Sequence, residues 1–114
     1  VEDMTALPEL TEQAILNNLR SRFASGFIYT YTGSILVALN PYKALDIFGH
    51  KSITKYENQL RTSNQPHIFA LSDAAITSIR SEKRNQSVII SGESGSGKSE
   101  STKYILSYVT AVTS

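Results

Sequence analysis

The chain has 114 residues, a formal charge of +1 and no cysteine. This length allows at most one domain of ordinary size. The near-zero charge gives no electrostatic basis for binding nucleic acid or an anionic membrane surface. Without cysteine the chain has no disulfide, thiolate zinc site or cysteine nucleophile, and no apolar run approaches the roughly 18 residues that span a bilayer. Composition and charge therefore exclude several classes of function but indicate none, and the evidence for a function has to come from sequence motifs.

The N-terminal part predicts an amphipathic helix. Thr11 is a suitable N-cap, and Ile15, Leu19 and Phe23 recur every four residues to form an apolar face. Gly26 stands where a left-handed residue would end the helix. We therefore expect this helix to bury its apolar face.

A hairpin of two strands is predicted next. Residues 27–31 are aromatic and β-branched, residues 34–39 are almost wholly apolar, and Thr32-Gly33 between them suits a tight turn. Strands apolar on both faces occur inside layered sheets. Pro41 cannot donate to a ladder, so it ends the second strand.

Two helices, a third strand and a last helix complete the prediction. Residues 52–60 form a short helix, and a longer one begins at Pro66 and ends near Asn85, with an apolar stripe of Ile68, Leu71, Ala75, Ile76 and Ile79. Residues 87–91 are predicted to be the third strand. The last helix starts at about Lys98 and carries its stripe at Ile105, Tyr108, Val109 and Val112.

The loop between the third strand and the last helix carries the clearest chemical signal. Residues 92–99, G-E-S-G-S-G-K-S, match the phosphate-loop pattern G-x-x-x-x-G-K-[ST]. Its glycines allow backbone N–H groups to point inward as an anion-binding concavity at a helix N-terminus. Lys98 supplies charge to the β- and γ-phosphates, and Ser99 offers a hydroxyl to Mg²⁺. The predicted phosphate-binding residues are Gly92, Glu93, Ser94, Gly95, Ser96, Gly97, Lys98 and Ser99, of which Lys98 and Ser99 are also the candidate catalytic residues.

A phosphate loop does not hydrolyse a nucleotide by itself. An acidic residue at the end of a further strand must complete the Mg²⁺ shell, and another group must position the water. Only 15 residues follow Ser99, with Glu100 as their one acid, and the upstream acids Asp46 and Asp73 fall in a predicted loop and helix. The simplest interpretation is a piece of a larger NTPase, cut at both ends and inactive on its own.

Several blocks of the chain resemble the myosin motor head. Residues 92–99 with Glu100 behind them look like the myosin version of the phosphate loop, and the resemblance runs from Glu2 to about Val109. The other blocks occur in the same order as in that family: E-D-M-T at 2–5, I-Y-T-Y-T-G at 28–33, N-P-Y-K at 40–43, P-H-I-F-A at 66–70 and N-Q-S at 85–87.

The resemblance implies an actin-activated Mg-ATPase that works as a cytoskeletal motor, with ATP and Mg²⁺ as cofactors. It implies an α/β P-loop NTPase fold, a mixed central sheet flanked by helices, of which residues 1–114 are an early part of the motor domain. Actin filaments would bind to regions outside this chain, as would light chains or calmodulin, in a cytoplasmic, cytoskeleton-associated protein without a nucleic-acid partner or membrane span. The implied adenine-pocket residues are Asn40, Pro41, Tyr42 and Lys43.

Some positions depart from the common pattern of the family. Ala44 and Phe48 stand where many members carry a basic residue and a tyrosine beside the base, so Phe48 could pack on a purine without donating a hydrogen bond. Ser99 replaces a threonine, and Ser96 replaces an alanine of muscle-type heads. Ser96 and residues 33–37 favour an unconventional, non-filament-forming class. The alternatives are another P-loop NTPase, such as a small-molecule kinase, and a non-enzymatic module that keeps the loop for structure.

Overall fold

The computed structural model describes residues 1–92 and 95–113. Within these ranges, no helix has the length and apolar character needed to cross a bilayer. The elements in chain order are a 3-10 turn Met4–Ala6, helix α1 Glu12–Ala24, strands β1 Tyr29–Thr32 and β2 Ile35–Ala38, and helices α2 His50–Tyr56, α3 Ile68–Glu82 and α4 Lys98–Thr113.

Helix α1 has the predicted ends, but its buried face agrees with the prediction only in part. The Thr11 hydroxyl accepts a hydrogen bond from the Ala14 amide at 3.1 Å, and Gly26, with φ of +91°, follows the helix C-terminus. The buried residues are Asn18 and Arg22, whereas Phe23 of the predicted apolar face is 43% exposed. Ile15 and Leu19 of the predicted face are half-buried, so the prediction was wrong at Phe23 and missed the two polar residues that are most deeply buried.

Hydrogen bonds explain why polar side chains point inward from α1. Arg22 donates to the Thr30 hydroxyl at 2.9 Å and to the Tyr29 carbonyl at 3.0 Å, and Asn18 donates to the Val1 carbonyl at 3.0 Å. A buried polar group that is fully bonded costs little, so the helix docks through these contacts.

The hairpin is confirmed, with its turn one residue later than predicted. β1 and β2 are antiparallel, Tyr29 faces Ala38 and Thr32 faces Ile35, so the turn residues are Gly33 and Ser34. Gly33 has φ of +61°, which glycine adopts without steric cost. Of the predicted mixed central sheet, the described residues contain this two-stranded part.

The prediction of a third strand at residues 87–91 was wrong. The described residues 83–92 contain no helix or strand, and this whole segment is exposed, with Ile89 at 90%. A strand requires a hydrogen-bonded neighbour, and the segment pairs with neither β1 nor β2. Apolar, β-branched composition alone does not supply that partner.

The core lies between the hairpin and the helix pair α3–α4. Phe69 and Tyr108 are 0% exposed, and burying each large side chain contributes about 1.5–3 kcal/mol. Inside this core the Tyr108 hydroxyl donates to the Asp73 carboxylate at 2.8 Å and joins the two helices. The buried cluster consists of Ile28, Tyr29, Ile53, Tyr56, Ile68, Phe69, Ala70, Ile76 and Tyr108.

Helix α3 begins at Ile68 because His67 caps it. The His67 Nδ1 accepts from the Phe69 amide at 2.9 Å, so Nε2 carries the proton and donates to the Ile47 carbonyl at 2.7 Å. Burial lowers the pKa of His67 to about 4, which keeps the ring neutral. Pro66 therefore precedes the cap, and His67 attaches the loop before α2 to α3.

Candidate nucleotide-binding site

The glycine-rich loop leads directly into α4. Gly92, Gly95 and Gly97 have φ of +155°, +82° and +96°, and the predicted site residues Glu93 and Ser94 lie outside the described part of the chain. A Cβ on Gly92 would come within 2.7 Å of the Ser96 hydroxyl. The backbone conformation here requires glycine, as an anion-binding loop does.

Asn40 connects the predicted adenine segment to this loop. Its Nδ2 donates to the Gly95 carbonyl at 3.0 Å, and its Oδ1 accepts from the Tyr42 amide at 2.8 Å. A Cβ added to Gly97 would lie 3.8 Å from the Asn40 side chain. Two segments more than fifty residues apart in the chain are thus held together by one amide side chain.

A pocket of about 380 Å³ opens between these two segments. Asn40, Pro41, Tyr42 and Lys43 line one side of it, and Ser96 and Gly97 line the side toward the loop. The remaining wall is mostly apolar and aromatic, and it includes Ile28, Tyr29, Ala38, Leu39, Phe48 and Tyr104. The structure therefore brings the four predicted adenine-pocket residues next to the predicted phosphate loop.

Lys98 and Ser99 lie in the first turn of α4, and both are exposed. They line a second, shallower cavity together with Asn40, Gly95, Gly97 and Glu100. The N-terminus of a helix attracts anions through its free N–H groups and its dipole. An ammonium group, a hydroxyl and a helix N-terminus therefore share one surface, which suits a phosphate chain.

Few side chains near this surface could act as ligands to a metal cation. The described residues contain no group of three or more His, Cys, Asp or Glu that could hold a metal ion. Asp73 is buried, and its carboxylate already accepts hydrogen bonds from the Tyr108 hydroxyl and the Asn58 amide. Ser99 fits Mg²⁺ as one oxygen ligand among phosphate oxygens and water, the shell that this ion favours.

Sequence reasoning missed Tyr104 as a pocket residue. Its ring stacks on Phe48 with 3.6 Å between ring centroids and an angle of 3° between planes. The available signal was the four-residue spacing between Glu100 and Tyr104. Residues four apart lie on the same face of a helix, so Tyr104 was expected on the face of α4 that carries Glu100. Phe48 was expected beside the base, and the structure shows this ring packed on Tyr104 at the pocket wall.

By sequence, the loop before α4 belongs to the phosphate-loop class. Comparison with known proteins is more specific. The chain matches the myosin head (motor domain) family over residues 1–114, and it belongs to that family.

Three similar proteins illustrate the match. The chain is 55% identical over 113 residues to a myosin-I heavy chain of Dictyostelium discoideum, 48% over 112 residues to unconventional myosin-XV of Homo sapiens, and 45% over 111 residues to unconventional myosin-IXa of Mus musculus. These alignments include 99%, 98% and 97% of this chain but span 5%, 3% and 4% of the respective relatives. The names of the latter two agree with the unconventional class that the sequence favours.

Proposed function

We propose that residues 1–114 form the nucleotide-phosphate-binding part of a myosin motor domain, in an actin-activated Mg-ATPase that moves on actin filaments. The phosphate loop, residues 92–99, would hold the ATP phosphates, and Asn40, Pro41, Tyr42 and Lys43 would hold the adenine. Actin and light chains or calmodulin would bind elsewhere in the protein, which we expect to be cytoplasmic and associated with the cytoskeleton. Membership of the myosin head family supports this proposal.

The hydrogen bond from Asn40 to Gly95 is the observation that carries the proposal. It connects the two segments that would hold opposite ends of one nucleotide. Both segments also line the same pocket. A glycine–serine linker with only a structural role would not be expected to hydrogen-bond a distant segment and to line an aromatic-walled pocket with it.

Each residue of the proposed phosphate site has a distinct task. Lys98 would neutralise the β- and γ-phosphates, and the amides of the loop would bind their oxygens. Ser99 would supply one oxygen to Mg²⁺, which on binding would neutralise charge between the phosphates. Glu100 forms a 3.4 Å ion pair with Lys103 and helps to line both cavities.

The small-molecule kinase alternative has less support. The family match extends over all 114 residues, including the blocks upstream of the phosphate loop. A non-enzymatic module would share the same fold, so only a measurement of ATPase activity can distinguish it from a motor. ATP hydrolysis by the full-length protein, and its acceleration by actin filaments, is the decisive measurement.

The binding site itself is tested by Lys98→Ala in the full-length protein. Loss of a charge-assisted contact to two phosphates should weaken ATP binding by about 100-fold or more in titration calorimetry. Lys51→Ala is the matched control, because Lys51 is exposed on α2 and does not line either cavity. Equal ATP affinity of Lys98→Ala and the wild type would refute the assignment.

A further inference from the structure

The pocket between Asn40 and the phosphate loop is walled, at the end proposed for the base, by a fixed group of aromatic rings. One face of Phe48 is covered by Tyr104, and its edges meet Tyr29, His67 and Phe69 at centroid distances of 6.3, 5.3 and 6.0 Å. Stacked and edge-to-face contacts of this kind hold rings in defined orientations. Phe48 therefore supports Tyr104 and offers no polar atom of its own.

Two phenol hydroxyls belong to the wall of this pocket. Tyr29 is 3% exposed, yet the structure shows no hydrogen bond from its hydroxyl or from that of Tyr104 to another described residue. Among the described residues, Tyr31 has the one fully enclosed side-chain oxygen without a partner, so the Tyr29 hydroxyl is not sealed in the core. Both tyrosines line the pocket.

Tyr29 and Tyr104 are neighbours in the wall of the same pocket. Burial, and to a lesser degree the neighbouring Tyr104, raises the pKa of Tyr29, so this phenol stays protonated at neutral pH. A protonated phenol donates one hydrogen bond and accepts others. Buried polar groups of this kind normally have a partner, and at the wall of an open pocket a ligand can supply it.

We infer that the Tyr104 and Tyr29 hydroxyls form the pair that hydrogen-bonds the edge of the nucleobase, with Phe48 holding Tyr104 in place. The inference rests on the proposed function, since it assigns a specificity role at the base end of that site. A base with a polar exocyclic group beside a ring nitrogen, as in adenine, presents a donor and an acceptor to such a pair. A purine without the exocyclic group would leave one hydroxyl unsatisfied.

The test compares three ligands on the full-length protein by titration calorimetry. ATP carries the exocyclic amino group, purine riboside triphosphate lacks it, and inorganic tripolyphosphate has no base. Tyr104→Phe and Tyr29→Phe should each weaken ATP binding about 3- to 10-fold, the usual effect of one lost hydrogen bond. The variant that loses the bond to the exocyclic group should change the affinity for purine riboside triphosphate by less than about twofold, whereas the variant that loses the bond to the ring nitrogen should weaken it as much as it weakens ATP binding. The affinity for tripolyphosphate should change by less than about twofold in both variants.

Tyr31→Phe is the matched control. Tyr31 lies on the same strand as Tyr29 and loses the same atom, but it does not line the pocket. Its ATP affinity should equal that of the wild type. Thermal melting of each variant should show that the Tyr-to-Phe changes leave the protein folded.

The possible results separate the inference from the proposed function. Unchanged ATP affinity in both pocket variants would overturn the inference and leave the ATP site intact, as would a parallel loss of tripolyphosphate binding, which would indicate a structural role. Failure of the wild type to bind ATP and tripolyphosphate would overturn the proposed function and the inference together.

Discussion

The α3–α4 pair and the segment of residues 83–92 adjoin each other in the chain, but they differ in almost every physical respect. Phe69 of α3 and Tyr108 of α4 are fully buried, and the Tyr108–Asp73 hydrogen bond connects the helices. Residues 83–92 are exposed and belong to neither a helix nor a strand. Yet Val88, Ile89 and Ile90 are as apolar as the residues of the core.

The difference shows that the groups packed around a segment in space, and not its amino-acid composition, determine its local stability. An apolar side chain contributes only when other groups cover it, and a backbone amide contributes only when it has a partner. Native-state hydrogen exchange should therefore protect the amides of α3 and α4 far more than those of residues 85–90. Four changes test this contrast, beginning with the largest expected effect.

Phe69→Ala should have the largest effect on the buried region. Phe69 is 0% exposed and contacts the rings of Phe48, His67 and Tyr108. The cavity and the lost burial should reduce the free energy of unfolding by about 3–5 kcal/mol. Urea denaturation measures this reduction, and a loss below about 1 kcal/mol would show that the aromatic cluster is not the centre of the core.

Acid should weaken the cap of α3. Burial lowers the pKa of His67 from 6.5 to about 4, so the folded state disfavours its protonation. Its contribution is fully present above pH 6.5 and is lost as the pH falls toward 4, by up to about 3 kcal/mol. Asp3, whose pKa the Thr5 amide lowers, would add its own loss only below its ordinary value of 3.8.

The pH dependence is measured by urea denaturation between pH 7 and pH 4. His67→Asn keeps a side chain that can cap a helix but does not titrate, so it should flatten the profile. His50→Asn, at the exposed start of α2, should retain the wild-type profile. A wild-type profile that is already flat over this range would contradict the role of His67.

Tyr108→Phe should have an intermediate effect. It removes the hydroxyl that binds Asp73 and leaves the ring in place, so the carboxylate loses one of its two hydrogen bonds. The free energy of unfolding should fall by about 1–3 kcal/mol. Tyr31→Phe, which removes a buried hydroxyl without a protein partner among the described residues, should have an effect near zero in the same assay.

Ile89→Ser should have the smallest effect. Ile89 is 90% exposed, so replacing it removes little buried surface, and the change in unfolding free energy should stay within about 0.5 kcal/mol. Thermal denaturation checks this value. A destabilisation comparable to that of Phe69→Ala would mean that the segment is packed against a partner.

Much of the helical structure was predictable because its signals are local. The cap at Thr11, the left-handed Gly26 and the apolar spacing that includes Tyr108 depend on residues only a few positions apart. The hairpin was predictable for the same reason. The burial of Arg22 on α1 was not predictable, because its guanidinium hydrogen-bonds Thr30 and Tyr29 on a strand whose docking the helix sequence does not specify.

The candidate site likewise has features that were predictable from the sequence and features that were not. The phosphate-loop pattern was evident at residues 92–99, and the resemblance to the family indicated the adenine segment. The Asn40–Gly95 hydrogen bond and the Phe48–Tyr104 stack were not predictable, since each joins residues more than fifty positions apart. Such contacts depend on how α4 and the loop before α2 pack on the hairpin.

The sequence by itself determined the family, the phosphate loop, both ends of α1 and the start of α4, because each is encoded by residue type at short spacing. The tertiary structure alone decided that Asn40 meets the loop, that Tyr104 joins the pocket wall, and that residues 87–91 form no strand with the described part of the sheet. The physical reason is that a contact, a pocket or a ladder needs two segments, and the pairing of distant segments depends on the packing of the whole core.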